Sequence, residues 1–474
     1  MAKKFFVNNR WLDSSKTRKV FNPYNNEIID EVFLLEEKQI NLVVDSNVQA
    51  FEITKHLPAH KRAEILLNIA AGIDEKRVEF IDLMVKEAGK PIRFAKGEVD
   101  RAILTFTIAA EEAKRISGEV IPLDLNKASE GRFGITRRFP IGPIIGISPF
   151  NFPLNLVAHK VAPAIASGNT ITIKPSSQTP LIALKLAEVL ENAGTIPGQV
   201  NVVPTSSDIA QKLALHKNFK LLSLTGSDVV GWNLRSLIKY KRTILELGGN
   251  AAVIIDKDTD IEKAVERNII GAFAYSGQVC ISVQRIYVHE NIYDKFLKTF
   301  IRKMEKIGFG NPENPETIVG PLINEEAAIR VENWVNEAEE QGAEILVGGK
   351  RNGTLFEPTL IVNTKKDMKV YCEEAFAPLV IVEPFSDFKE AVNMVNDSKF
   401  GLQAGVFSNN YENIFYAFKT MEVGGVIAND YPTYRIDNMP YGGVKNSGFG
   451  REGLKYAIEE MTEIKLLVFN FLQK

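Results

Sequence analysis

A cysteine set among small residues is the strongest candidate nucleophile in this chain. Cys280 lies in the run Gly-Gln-Val-Cys-Ile-Ser at positions 277–282, and the only other cysteine is Cys372. Small neighbours leave a thiol reachable, and a thiolate attacks electrophilic carbon readily. The alternative is a buried free cysteine that acts as a small hydrophobe. Cys280 therefore needs partners before chemistry can be assigned to it.

Glu246 has the setting of a general base. It lies between Leu245 and Leu247, just ahead of two glycines, so it is an acid at the end of an apolar run. Burial without compensation raises the pKa of a carboxyl group, which suits it to accept a proton near neutral pH. The alternative is a structural glutamate paired with a lysine or arginine elsewhere in the chain.

Asn151 is a polar amide in apolar surroundings. Phe150 and Phe152 flank it, and Pro153 follows. An asparagine in such a turn can simply satisfy local backbone groups, so the residue is a candidate site residue only in combination with others.

Two segments could hold a phosphate-bearing cofactor. Residues 224–231 have the pattern of a strand, a glycine turn and a helix start, where Ser227 could cap the helix or bind phosphate. Lys174 ends another predicted strand, the place where ligands gather in α/β sheets. The alternatives are an ordinary cap and a solvated lysine. The G-x-G-x-x-G match at 448–453 follows turn residues and not a strand, so we do not expect a dinucleotide fingerprint there.

The elements that must position these residues alternate between strand and helix after Pro140. Helical periodicity from about residue 60 precedes them, with Ile65, Leu66, Ile69 and Ile73 on one face. Alternation of strand and helix predicts parallel sheets with helices on both faces. The predicted strands form two series, 143–147, 170–173, 199–203, 220–224 and 243–247, then 251–255, 285–288, 343–347, 378–382 and 404–407. Residues 131–139 and 463–469 alternate polar and apolar side chains and could pair with each other.

Composition favours a small-molecule partner. The chain of 474 residues is long enough for two or three domains, and its 57 basic and 59 acidic residues give a net charge of −2. This balance favours neither nucleic acid nor an anionic membrane as a partner. Two distant cysteines and five histidines give no disulfide framework or zinc spacing, so we expect no metal. The start has no apolar segment of signal-peptide length, and we expect a cytoplasmic protein.

The candidate residues together resemble the aldehyde dehydrogenase superfamily. The matching segments are 148–153, 245–250, 277–282 and 373–378, and the resemblance runs from about Val7 to about Lys465 with the motifs in family order. It implies an α/β fold with two doubly wound, Rossmann-like domains and a small β ribbon for oligomerisation. The implied boundaries are a cofactor domain at 1–119 and 142–248, a catalytic domain at 249–445, and an oligomerisation segment at 120–141 and 446–474.

The resemblance also implies a role for each catalytic candidate. Cys280 would be the nucleophile and Glu246 the base that activates water, because their spacing of 34 positions matches that in hydrolytic members. The amide N–H of Asn151, with the backbone N–H of Cys280, would hold the oxyanion. The implied reaction is oxidation of an aldehyde to a carboxylic acid with NADP+ or NAD+, through a thiohemiacetal and a thioester on Cys280.

The cofactor residues follow from the same resemblance. Lys174 would bind the adenosine ribose, Ser227 the pyrophosphate, and Glu374 and Phe376 the nicotinamide ribose and ring. Phe150, Asn151 and Leu247 would also line the cofactor site. Ser177 stands where NAD-preferring members commonly have Glu, so we expect NADP+ to be accepted while a preference between NADP+ and NAD+ stays open.

Substrate and rival functions are less constrained. Segments 280–285 and 374–378 are most similar to the lactaldehyde dehydrogenase branch, which favours a small aldehyde such as lactaldehyde, glyceraldehyde or a semialdehyde. Arg435 falls where members place substrate-tunnel residues, although it could be a surface arginine paired with Asp437. A CoA-acylating semialdehyde dehydrogenase is the alternative enzyme, but such members usually lack the equivalent of Glu246. The resemblance further implies a homodimer or homotetramer.

Overall fold

The computed structural model describes residues 2–471. Met1, the first residue of the predicted segment 1–119, lies outside the described residues. Residues 472–474, the last of the predicted segment 446–474, also lie outside them. The described part of the chain forms 15 α-helices: α1 Ile40–Thr54, α2 Ala59–Glu75, α3 Arg77–Ala88, α4 Ile92–Ala113, α5 Asn155–Ser167, α6 Pro180–Asn192, α7 Ser207–Leu215, α8 Asp228–Leu237, α9 Ile261–Phe273, α10 Tyr293–Met304, α11 Glu325–Glu340, α12 Lys369–Cys372, α13 Phe388–Asn396, α14 Tyr411–Thr420 and α15 Leu454–Glu460.

The same part of the chain forms 24 strands: β1 Phe5–Val7, β2 Arg10–Leu12, β3 Thr17–Phe21, β4 Ile28–Phe33, β5 Val120–Pro122, β6 Arg132–Pro140, β7 Ile144–Ile147, β8 Ile171–Lys174, β9 Val200–Val202, β10 Leu221–Thr225, β11 Arg242–Glu246, β12 Ala251–Ile255, β13 Val283–His289, β14 Glu344–Val347, β15 Arg351–Asn352, β16 Leu355–Phe356, β17 Thr359–Val362, β18 Leu379–Phe385, β19 Phe400–Gly401, β20 Gln403–Phe407, β21 Gly425–Ala428, β22 Val444–Lys445, β23 Gly448–Phe449 and β24 Thr462–Asn470.

The first large sheet contains all five strands of the first predicted series. Its order is β2-β1-β9-β8-β7-β10-β11-β23, and the five central strands run parallel. Strands β1 and β23 join antiparallel at the two sides. Because both faces of the central strands are covered, nearly every residue of these strands is buried, as in β7 and β8. The predicted α/β class with a doubly wound sheet is confirmed.

The second large sheet has the order β14-β17-β18-β13-β12-β20-β21. It is parallel except at β14, which runs antiparallel to β17. Two apolar clusters cover its faces, one around α11 and α13 and the other around α9 and α10. The strands β17 and β21 belong to this sheet but were not among those predicted from the sequence.

A third sheet joins the two alternating stretches. Strand β24 pairs antiparallel with β6 over nine residue pairs, from Thr462 opposite Pro140 to Asn470 opposite Arg132, and β5 pairs with the other side of β6. The predicted pairing of residues 131–139 with 463–469 is confirmed. None of the helices in residues 2–471 is long and apolar enough to cross a membrane.

Local sequence signals explain several element ends near the site. The side chain of Ser227 accepts a hydrogen bond from the N–H of Val230, which confirms that it caps α8. Pro180 occupies the first turn of α6, where its missing N–H leaves no intrahelical bond unmade. The buried carboxylate of Glu87 accepts hydrogen bonds from the N–H groups of Leu181 and Ile182 in the same turn. These caps fix the helices whose ends face the carboxyl edge of the first sheet.

Candidate active site

Cys280 lies between two cavities. A cavity of about 420 Å³ extends from Cys280 toward the carboxyl ends of β7, β8, β10 and β11. A second cavity of about 260 Å³ extends from Cys280 to the other side, between α4 and the segment 431–441. Cys280 and Leu156 line both cavities. The thiol is therefore placed where two different molecules could meet it from opposite directions.

The backbone before Cys280 is held in an uncommon conformation. Tyr275, Ser276 and Gly277 have φ angles of 51°, 58° and 66°, in the left-handed region that side chains other than glycine rarely adopt. The hydroxyl of Ser276 donates to the carbonyl of Gly320, and a Cβ on Gly277 would lie 2.1 Å from the carbonyl oxygen of Ala377. Backbone strain of this kind persists only where surrounding contacts enforce it. Such strained residues are common at functional sites.

Asn151 lies against the same loop. Its Nδ2 donates a hydrogen bond of 2.9 Å to the carbonyl oxygen of Gln278, two residues before Cys280, and the side chain is buried. One N–H of the amide is thus used to orient the group. Within residues 2–471, no acceptor is found for its second N–H.

Glu246 ends β11 at the wall of the larger cavity, and its carboxylate is buried without a partner. Neither oxygen has a hydrogen-bond partner within residues 2–471. Burial, and then the charge of Glu452, raise the pKa of Glu246 well above the ordinary carboxyl value. A Cβ on Gly442 would lie 2.9 Å from its Oε1 atom, so only glycine leaves the carboxylate this space. Within the described residues Glu246 therefore forms no ion pair, and the alternative of a structural glutamate paired with a lysine or arginine is wrong.

Glu452 is the ionised partner in this pair of acids. Burial opposes its ionisation, but Lys160 at 3.0 Å and Arg435 at 3.3 Å outweigh burial and lower the pKa of Glu452 to about 2. Lys160 also donates to the hydroxyl of Thr225 at 2.7 Å. Glu452 could not be recognised as a site residue from the sequence, because the residues that form ion pairs with it lie in other segments of the chain.

All eight residues predicted to bind the cofactor line the larger cavity. They are Phe150, Asn151, Lys174, Ser177, Ser227, Leu247, Glu374 and Phe376. Burial, followed by the nearby charge of Arg18, lowers the pKa of Lys174 to about 8. A buried ammonium group of this kind gains stability from an anionic or hydroxyl-bearing ligand. The cavity is thus chemically suited to a phosphate-bearing molecule.

Glu374 and Phe376 come from the loop after α12. The Oε1 atom of Glu374 accepts a hydrogen bond of 2.8 Å from the N–H of Gly249, and burial raises the pKa of Glu374 to about 7. A Cβ on Gly248 would lie 2.4 Å from its other oxygen, which explains the glycine there. Phe376 has a φ of 49° and meets Phe150 edge to face, with ring centroids 5.7 Å apart. The loop therefore presents both side chains in one enforced conformation.

Arg435 lies in the smaller cavity and not on the surface. Its side chain is 8% exposed, and its guanidinium lies 3.6 Å from the centroid of the Tyr441 ring. Its ionic partner is Glu452 and not Asp437, so the surface pairing considered from the sequence is wrong. The Nε atom of Arg435 has no hydrogen-bond partner within residues 2–471. One donor of a buried cation is thus left without a hydrogen-bond partner within the described residues.

Asp437 instead holds the segment that carries Arg435 to two helices. Arg101 of α4 donates to it at 2.6 Å, and Asn155 and His159 of α5 lie within 3.2 Å and 2.8 Å. Burial opposes the charge on Asp437, but His159 and Arg101 outweigh it and hold the pKa of Asp437 far below its usual value. This cluster could not be predicted from the sequence, because a local motif does not record contacts between distant segments.

Other titratable groups do not form a metal site. Within residues 2–471, no group of three or more His, Cys, Asp or Glu side chains is arranged to hold a metal ion. Cys372 ends α12, lines neither cavity near Cys280, and carries no disulfide. The two cysteines therefore have different surroundings.

Comparison with known proteins identifies the family of the chain. The model of the aldehyde dehydrogenase family matches residues 11–467. The 3-sulfolactaldehyde dehydrogenase of Priestia aryabhattai is 43% identical over 466 residues, which are 98% of this chain and 97% of that protein. The crystal structure of aldehyde dehydrogenase 21 from Physcomitrella patens, in complex with the reaction product succinate, is 42% identical with a TM-score of 0.97 over 99% of each chain. Glyceraldehyde-3-phosphate dehydrogenase from Methanocaldococcus jannaschii, complexed with NADP, is 40% identical with a TM-score of 0.93 over 97% of this chain and 100% of that one. The chain therefore belongs to the aldehyde dehydrogenase family.

Proposed function

We propose that the protein oxidises a small aldehyde to its carboxylic acid with NADP+ or NAD+, and that Cys280 is the nucleophile. The observation that carries the proposal is the position of Cys280 between the two cavities, with the unpartnered Glu246 carboxylate in the wall of the larger one. An aldehyde in the smaller cavity and a cofactor in the larger cavity would meet at the thiol.

The first step is attack of the Cys280 sulfur on the aldehyde carbon. The thiol proton leaves to Glu246 or to water, and the carbonyl oxygen becomes an oxyanion. The free N–H of Asn151 and the backbone N–H of Cys280 stabilise that charge, at about 3 kcal/mol for each donor in comparable sites. The hydrogen bond from Asn151 to Gln278 fixes the amide beforehand, so little reorganisation is needed during the reaction.

Oxidation converts the resulting thiohemiacetal into a thioester on Cys280. The bound nicotinamide supplies the hydride acceptor for this conversion. We assign Lys174, Ser177 and Ser227 to the adenosine and phosphate portions, and Glu374 and Phe376 to the nicotinamide portion. The buried ammonium of Lys174 and the capped start of α8 support these assignments.

The cofactor choice follows from Ser177. A glutamate there would repel the 2′-phosphate of NADP+, whereas a serine offers a hydroxyl and leaves Lys174 free to face that phosphate. NADP+ is therefore accepted, and NAD+ stays a second cofactor because nothing at Ser177 clashes with a free 2′-hydroxyl. The NADP complex of the related Methanocaldococcus jannaschii enzyme supports this proposal.

Glu246 then activates water to release the acid. Its raised pKa makes it an effective base near neutral pH, and the ionised Glu452 beside it helps to keep that pKa high. The alternative, in which CoA takes the acyl group, has no use for a water-activating base at this position. The presence and burial of Glu246 therefore favour hydrolysis.

The substrate we propose carries an anionic group a few atoms from its aldehyde carbon. The position of Arg435 in the wall of the smaller cavity, with its Nε unpaired, supports this assignment, because a guanidinium donates charge-assisted hydrogen bonds to carboxylate, sulfonate or phosphate. Related proteins are named for 3-sulfolactaldehyde and glyceraldehyde-3-phosphate, and one contains the product succinate. Semialdehydes and substituted lactaldehydes are thus the first compounds to test.

Assembly and domain limits complete the proposal. We propose domains at 1–119 with 142–248, at 249–445, and at 120–141 with 446–474, and a homodimer or homotetramer. Strand β24 supports association, because its exposed side chains include Ile464, Leu466, Leu467 and Val468. We also propose a cytoplasmic location, which the low cysteine content supports.

One assay tests the proposed function. Purified protein is mixed with a panel of neutral and anionic aldehydes and with NADP+ or NAD+, and reduced cofactor is followed by absorbance. The expected result is cofactor reduction without CoA and loss of that reduction in Cys280→Ala. Strict dependence on added CoA would instead select the acylating enzyme, and full activity in Cys280→Ala would dismiss the nucleophile.

A further inference from the structure

Tyr441 places a hydroxyl group directly on the sulfur of Cys280. Its phenolic oxygen lies 2.9 Å from the Sγ atom, and its ring is buried. No other hydrogen-bond partner of this hydroxyl occurs within residues 2–471. A buried hydroxyl is unfavourable unless it is hydrogen-bonded, so the contact with the sulfur accounts for the group.

The position of Tyr441 is fixed by its backbone. Its N–H donates to the carbonyl of Glu452 at 3.0 Å, and the N–H of Glu452 donates back to its carbonyl at 2.7 Å. The ring packs in a small apolar cluster with Tyr275, Val279, Ile281 and Leu402. A phenylalanine would serve that packing equally well, so the packing alone does not explain the hydroxyl.

The charge of Arg435 acts on the same ring. Its guanidinium lies 3.6 Å from the ring centroid, and a cation over an aromatic face withdraws electron density from it. This makes the phenol a better hydrogen-bond donor. The ordinary pKa of a phenol lies about 1.5 units above that of a thiol, so the tyrosine keeps its proton when the cysteine loses one.

We propose that Tyr441 is a catalytic residue whose hydroxyl donates a hydrogen bond to the Cys280 thiolate. The hydrogen bond stabilises the thiolate before attack on the aldehyde, and again when the thioester is hydrolysed and the sulfur leaves as thiolate. Tyr441 keeps its proton throughout, and the thiol proton departs to Glu246 or water as in the proposed reaction. The inference rests on Cys280 being the nucleophile of the proposed function.

The charged groups around the sulfur show why such help is needed. Burial raises the pKa of Cys280 to about 11, with smaller contributions in the same direction from the acids Glu374 and Glu246. The hydrogen bond from Tyr441 and the charge of Arg435 act in the opposite direction. Within the described residues these are the two groups that favour the thiolate, and Tyr441 is the one in contact with the sulfur.

The test is the pH dependence of Cys280 alkylation in the Tyr441→Phe variant. Short pulses of iodoacetamide are applied between pH 7 and pH 11 without aldehyde or cofactor, and the peptides containing Cys280 and Cys372 are quantified by mass spectrometry. Cys372 serves as the internal reference in each sample. Tyr434→Phe is the matched control, because that tyrosine lies in the same segment but is exposed.

Loss of a hydrogen bond to a charged sulfur should raise the apparent pKa of Cys280 by about one unit, which reduces the thiolate fraction about tenfold. A more basic thiolate is intrinsically more reactive, so the rate of alkylation at pH 8 should fall about threefold. The Cys372 rate and the melting temperature should stay unchanged, and Tyr434→Phe should match wild type. Superposed wild-type and Tyr441→Phe profiles, or faster alkylation in the variant, would overturn the proposal.

This experiment is separate from the test of the proposed function. Alkylation needs no turnover, so the Tyr441 contact is measured even if the enzyme acts on an unexpected aldehyde. If Cys280→Ala retains dehydrogenase activity, the proposed nucleophile fails whatever the alkylation profile. In active protein, the pH profile of kcat/KM should shift upward in Tyr441→Phe in the same way as the alkylation profile, and an unshifted kcat/KM profile would exclude a catalytic role for the hydroxyl.

Discussion

Replacing Arg435 by methionine should remove the preference for anionic aldehydes while leaving neutral ones usable. Methionine keeps a long apolar side chain in the smaller cavity and removes both the charge and the unpaired Nε donor of Arg435. Glu452 would keep Lys160 as an ionic partner at 3.0 Å, so the variant does not leave that carboxylate unpaired. The perturbation is therefore directed mainly at the ligand side of Arg435.

The size of the effect follows from the surroundings of the guanidinium. A hydrogen bond to a charged group contributes about 1.5 to 3 kcal/mol, or about ten- to a hundredfold in kcat/KM. The side chain is 8% exposed, so screening by solvent is weak, but Glu452 at 3.3 Å already offsets part of its charge. We therefore expect a selective loss of about tenfold, at the lower end of that range.

The assay compares succinic semialdehyde with butanal, which share a four-carbon chain and differ in the terminal carboxylate. The ratio of their kcat/KM values is measured in wild type and in Arg435→Met at one ionic strength. Any loss that Arg435→Met causes through Tyr441 and Cys280 acts on both substrates and cancels in the ratio. An equal fall for both aldehydes would refute the assignment of Arg435 to the anionic group.

Three further predictions concern the nucleophile, the base and the cofactor. Cys280→Ala should abolish turnover without weakening NADP+ binding, measured by fluorescence titration, whereas Cys372→Ala should keep most activity; the reverse pattern would contradict the site. Because the pKa of Glu246 is raised, turnover should rise with pH as the carboxyl group loses its proton. For the same reason, this carboxyl group should destabilise the folded protein increasingly as the pH rises above the pKa of a glutamate in the unfolded chain. Glu246→Gln should therefore have the higher melting temperature at pH 8 and lose that advantage near pH 4, and equal melting curves at both pH values would contradict the burial argument. Ser177→Glu should lower kcat/KM for NADP+ far more than for NAD+, and a wild type with more than about 100-fold preference for NAD+, about 2.7 kcal/mol, would show that serine is not enough to admit NADP+.

The fold could be predicted where the signal is local or periodic. Ser227 follows a glycine after an apolar run, and it caps α8 as expected. The alternating residues of β6 and β24 pair over their whole length, because alternation is the requirement of a sheet with two different faces. Strand β1 was missed, because Phe5–Val7 is too short for a period to be recognised and is buried at every position.

The site could be predicted in part for a similar reason. Six of the predicted cofactor residues lie near the ends of neighbouring strands of the first sheet or in the loops that follow them, so that sheet brings them to one cavity, and the loop after α12 adds Glu374 and Phe376. Contacts across the chain could not be predicted. Tyr441 and Cys280 are 161 residues apart, and no local pattern connects them. The partner of Arg435 was assigned wrongly for the same reason, because the nearby Asp437 is held by Arg101 and His159.

The central claim is that a thioester forms on Cys280 and that Glu246 activates the water that hydrolyses it. The most direct measurement mixes Glu246→Gln with the preferred aldehyde and NADP+, stops the reaction with acid, and determines the mass of the peptide containing Cys280. We expect one equivalent of reduced cofactor in a burst, an acyl group on Cys280, and steady-state turnover lower by about two to four decades, the usual contribution of a general base. An unmodified Cys280 peptide after such a burst, or steady turnover equal to wild type, would contradict it.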